Sequence, residues 1–108
     1  TFQGRGERQM NLVWIFCSEI LSDEVRDMLY FCSVPSYTVW KNVLNRNIDG
    51  NKTHWDDAVF PGKNVAFCLS CDQDLLEKLR EKFLEFTAGE STRREWLEIY
   101  VHEARRLI

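Results

Sequence analysis

At 108 residues, 44% hydrophobic and 29% charged, the chain has the make-up of one globular domain with a single modest core. Its net charge of −3 and the lack of a basic run argue against nucleic acid as a partner, and no apolar stretch approaches the roughly 20 residues a membrane helix needs. Four cysteines (Cys17, Cys32, Cys68, Cys71) without a secretory signal suit a reducing cytoplasm better than a disulfide scaffold.

Residues 1–9 carry no periodicity. Phe2-Gln3-Gly4 reads as the remnant of a protease site and Met10 as a natural start, so this segment is expected to be disordered, with the domain spanning 10–108. Leu12 to Cys17 is a short, continuous apolar run, the pattern of a strand covered on both faces. Ser22 is the expected cap of a first helix, with Asp23 and Glu24 at the positive end of its dipole. Val25, Met28, Leu29 and Cys32 form its apolar stripe, and Pro35 ends it. A second strand is expected over Tyr37–Leu44 and a third over Asn64–Cys71. Asp72 is placed to cap a second helix whose stripe is Leu75, Leu76, Leu79, Phe83 and Phe86, with Gly89 as its stop. Residues 90–95 read as a loop and Trp96–Val101 as the last strand, while 102–108 could be tail, strand or helical turn.

The order β-α-β-β-α-β is the α+β, ferredoxin-like pattern: a four-stranded antiparallel sheet with two helices on one face. Its other face should be wet, with strands that alternate apolar and polar residues. The first and third strands are instead apolar on both sides. An open face this apolar marks an interface, so a homo-oligomer whose sheets cover one another is expected.

Between the second and third strands lies Asn45–Lys63, far longer than a hairpin requires. Loops of more than about 12–15 residues in compact domains are usually functional or disordered. Trp55, in a loop rich in Gly and Asn, needs somewhere to bury its ring, either on its own assembly or in a partner. His54, Asp56 and Asp57 are residue types that can ligate a divalent metal or simply stay solvated. Lys41, Arg46, Lys52 and Lys63 put positive charge at both ends of the loop, suited to an anionic ligand or to ordinary solubility. Cys68-Leu69-Ser70-Cys71 is a CxxC before a helix, where a lowered thiol pKa can support redox or metal chemistry. Cys17 is expected near it; against activity, an extended strand points Cys68 and Cys71 to opposite faces. His54 and His102 are the only histidines, and no nucleophile–base–orienter set is visible, so a binding protein is expected rather than an enzyme.

The first strand Leu12–Cys17, the segment Tyr37-Thr38-Val39-Trp40, the run Val59-Phe60-Pro61-Gly62-Lys63-Asn64 and the C-terminal Tyr100–Ile108 resemble the nitrogen-regulatory PII-type signalling proteins, in particular their PII-like relatives. The resemblance covers about residues 12–108 in pattern, without a strictly diagnostic motif. It implies a homotrimer with sheets facing inward, a long loop that docks an unknown protein partner (Trp55, Asp56, Asp57), and an adenine nucleotide or small anion in the clefts between subunits. The ligand positions it implies are Arg46, Gly89, Arg93, Arg94, Arg105 and Arg106, to which the charge at the loop ends adds Lys41 and Lys63. The ligand motif is incomplete: of the glycine-rich turn and arginine usual at the loop base only Arg46 is present, and Glu90 follows Gly89 where a lysine is usual. The alternative is a metal-responsive trimer resembling divalent-cation-tolerance proteins, using His54, Asp56 and the cysteines. A third reading is a scaffold with a constitutive docking loop.

Overall fold

A computed structural model describes residues 8–108, the side chains of residues 8, 91 and 93 excepted. In chain order it contains β1 (Arg8–Ser18), a 3-10 turn (Glu19–Leu21), α1 (Ser22–Phe31), β2 (Thr38–Val43), β3 (Asn64–Cys71), α2 (Gln73–Thr87), a short α3 (Glu90–Arg93) and β4 (Leu97–Arg106). The strands form one antiparallel sheet in the order β2-β3-β1-β4, the ferredoxin-like arrangement. The two long apolar strands, β1 and β3, are central, and β2 and β4 are edges.

Alternation along each strand divides the sheet into two unlike faces. Val13, Ile15 and Cys17 of β1 and Val65, Phe67, Leu69 and Cys71 of β3 point toward the helices. They pack with Val25, Met28, Leu29 and Cys32 around α1 and with Leu79 and Phe83 of α2 in one core. Both helices therefore lie on the same side.

The second helix begins as its sequence dictates. Asp72 is extended and its carboxylate accepts from the Leu75 amide at 2.9 Å. Asp72→Ala should lower stability by about 1 kcal/mol, the ordinary value of a lost N-cap, and urea unfolding monitored by circular dichroism would read it.

Several boundaries differ from expectation. Ser22 does not cap α1; Ser18 caps the preceding 3-10 turn by accepting from the Ile20 amide, and the helix continues from that turn. Gly89 does not stop α2 with a left-handed turn. Its φ is −74° and it is the N-cap of α3, which occupies part of the expected loop. Residues 8 and 9 belong to β1, and residues 1–7 of the expected disordered segment lie outside the described residues. β4 runs on to Arg106 because 102–106 pair with the start of β1.

Candidate functional site

The long loop has a folded structure of its own. Asn45 and His54 bridge their main chains in both directions, at 3.0 and 3.2 Å, and close a first lobe. Inside it the Thr53 hydroxyl accepts from the Asn47 amide at 2.9 Å and Asp49 accepts from Asn51. A second lobe is closed by the Trp55 amide donating to the Phe60 carbonyl and the Asp56 amide donating to Gly62. Asp57 accepts from the Val59 and Phe60 amides at 3.1 and 2.6 Å, so its carboxylate is spent on turning the chain.

Both lobes are fastened to the sheet by one residue. Asn64, the first residue of β3, is fully buried at 0% exposure. Its amide nitrogen donates to Asn45 Oδ1 at 2.8 Å, which turns its oxygen toward His54 Nδ1 at 2.7 Å. That orientation places a proton on His54 Nδ1. Gly62 makes room for the ring: its φ is +97°, and a Cβ there would sit 3.1 Å from His54 Cδ2. Arg46 lies over Trp55 and Phe60, 5.6 and 5.8 Å from the ring centroids, and Lys63 reaches Asp56 at 3.7 Å. Ile48 and Val59 stand out into solvent at the two lobe tips.

The uncovered sheet face carries a row of aromatic rings. Trp40 stacks on Trp14 (centroids 5.8 Å apart), Trp14 on Phe16, and Phe16 meets Trp96 and Tyr100. Trp40 is 45% and Tyr100 55% exposed. Glu98 accepts from the Tyr100 hydroxyl at 2.7 Å and from the Trp96 indole at 2.8 Å, and these bonds hold its carboxyl below the ordinary value. The Trp14 indole N–H donates to His102 Nε2 at 3.1 Å.

The candidate ligand positions fall in separate places. Lys41, Arg46 and Lys63 flank the loop, and Gly89 and Arg94 bracket α3, whose connection to β4 reaches the same end of the sheet, where the Ser18 amide donates to the Trp96 carbonyl. The Arg93 side chain lies outside the described residues. Arg105 and Arg106 pair with Gln9 and Arg8 at the opposite end of β4, eight residues or roughly 25 Å from Leu97. One chain alone does not bring these groups together.

Other candidates are displaced or quiet. Cys17 lies opposite Val65, whereas Cys71 lies opposite Asn11, so the expected neighbourhood of Cys17 and the CxxC is wrong: antiparallel strands place the end of one beside the start of the other. Burial pushes the Cys17 thiol up to about 12, and burial and then the Asp72 charge raise that of Cys71. Burial likewise raises the thiols of Cys32 and Cys68. Below the unfolded thiol value, near pH ~8.5, both states hold the Cys17 proton and pH leaves this contribution alone. Above it the unfolded chain ionises first, so stability falls until the folded value near 12 is reached. At about pH 8, Cys17 should resist a thiol reagent in the native protein and react on denaturation, as counted by mass spectrometry. Among the described residues no group of three His, Cys, Asp or Glu lies together, and His54 Nδ1 is engaged by Asn64. No helix among them is long and apolar enough to cross a membrane.

The residues that organise the site, Asn45, Asn64 and His102, carry no distinctive spacing. The exposed Ile48 and Val59 do have a signal, apolar residues in a polar loop, but sequence reasoning takes it up only at Trp55.

The fold is ferredoxin-like, with a long folded loop between β2 and β3. No family model and no curated protein matches the sequence, but solved structures share its fold. CPII from Thiomonas intermedia K12, in a structure bound to ADP and bicarbonate, superposes with a TM-score of 0.73 at 15% identity, over 94% of this chain and 92% of that one. A structure of CPII, a nitrogen regulatory PII-like protein, bound to ADP, AMP and bicarbonate gives 0.70 at 15% identity, over 92% and 93%. A candidate PII-like signalling protein of Thermus thermophilus gives 0.63 at 14% identity, over 94% and 92%.

Proposed function

We propose that this chain is a non-catalytic, cytoplasmic PII-like regulator that assembles as a homotrimer through its aromatic sheet face. In this reading an adenine nucleotide, with or without a small anion such as bicarbonate, binds in the clefts between copies. The observation that carries it is the uncovered face itself. Four rings, Trp14, Phe16, Trp40 and Tyr100, lie side by side on a sheet whose other side is already filled by helices.

Assembly also answers the separation of the basic residues. Arg105 and Arg106 of one copy can complete a cleft begun by Lys41, Arg46, Lys63, Gly89, Arg93 and Arg94 of its neighbour. Ligand binding would reset the folded 45–63 loop, an order change biased by differential contacts. Ile48, Trp55 and Val59 would face the partner protein, while Asp56 and Asp57 shape the lobe that presents them.

Analytical ultracentrifugation and calorimetry with ADP, AMP and bicarbonate test this directly. A three-copy mass and nucleotide binding weakened about tenfold by Arg46→Ala are expected, the ordinary value of a charge-assisted contact. A single-copy species that binds none of these ligands would overturn it.

A further inference from the structure

The geometry points to a pH-controlled latch on the aromatic face, formed by Trp14 and His102. This inference rests on the proposed assembly through that face. An indole N–H is only a donor, so at 3.1 Å the His102 Nε2 must be the acceptor and must carry no proton. The other ring nitrogen faces the Glu103 carbonyl at 3.3 Å and is the one that holds the proton. Protonating Nε2 would set two donors against each other and place a positive charge beside stacked rings that copies of the chain are to cover. Charge in an apolar interface without a partner is strongly disfavoured.

Among the described residues the surroundings offer no such partner. Across the ladder, β1 presents Met10, Leu12 and Trp14, none of which titrates, and Leu12 stands directly opposite His102. On β4 itself, Tyr100, Glu98 and Arg106 share the face by alternation. The Glu98 carboxylate is occupied by Tyr100 and Trp96, and Arg106 adds only like charge. Glu103 falls on the other face and contributes its carbonyl alone. The second histidine, His54, responds differently: its Nδ1 already donates to Asn64, so a further proton leaves that bond in place.

Acid should therefore loosen the assembly through one residue. Sedimentation at about pH 7.5 and about pH 5.5, across the range where imidazoles gain charge, should show the wild type losing at least about tenfold in association constant per copy. His102→Gln, whose amide oxygen still accepts from Trp14 but does not titrate, should stay assembled at both. Equal acid sensitivity of the two proteins, or none in the wild type, overturns the latch. Should the wild type sediment as a single copy at pH 7.5, the assembly reading fails by itself. The latch is then judged on the Trp14 indole N–H resonance in NMR. A pH-dependent shift present in the wild type and absent in His102→Gln supports it, and a flat titration overturns it.

Discussion

Changing Trp40 to glutamate is expected to leave the protein folded and to abolish its self-association. The ring is partly exposed on edge strand β2 and rests against Trp14 rather than in the core, so a single copy loses little by its removal. The main chain still pairs with Ala66 whichever side chain is present. In an assembly the same ring would lie under a neighbour, where truncating a buried tryptophan commonly costs about 2 kcal/mol or more. That is roughly thirtyfold in the association constant for every contact, and a carboxylate left against aromatic rings adds to it. Far-ultraviolet circular dichroism should be unchanged while ultracentrifugation reports single copies. Equal masses for variant and wild type would show that this face is not the contact.

The second large effect is expected at Asn64. Alanine there removes the donor to Asn45 and the acceptor from His54 in one step, at a position with no solvent exposure. Two polar groups lose their partners, and an unmet buried donor or acceptor costs about 1–3 kcal/mol. A loss of about 2–4 kcal/mol is therefore expected in urea unfolding. The more telling reading is local. Amides of residues 45–63 should exchange and be cleaved faster than those of β1 and β3. If loop and sheet lose protection equally, Asn64 supports the domain as a whole and does not specifically fasten the loop.

Much of the scaffold was legible because single residues decide it. β3 covers the expected Asn64–Cys71, built on the apolar run Val65–Leu69, and the Asp72 cap and leucine stripe of α2 need only local chemistry. The apolar surplus of β1 likewise foretold an aromatic uncovered face, since Trp14 and Phe16 can point only away from Val13 and Ile15. What was illegible depends on distant pairing. The sequence His102–Arg106 reads equally as tail, strand or helical turn because its charges are tolerated on an edge strand, and only the partner residues at the start of β1 make it β4. Ser22 looks like a cap until the 3-10 turn before it is seen to take that role for Ser18. The fastening of the loop joins residues 9, 10 and 19 positions apart, and no periodicity marks such a set.

The glycine beneath the His54 ring divides the arm into parts that differ in how freely they can be rewritten. A side chain at Gly62 would meet both a left-handed backbone and the imidazole edge, so insertions and grafts there should fail. The tip residue Ile48 carries no such restriction: it is exposed, and Asn45, His54 and Asn64 hold the ends of the lobe below. Foreign recognition side chains could be placed at that position while the frame beneath keeps its shape.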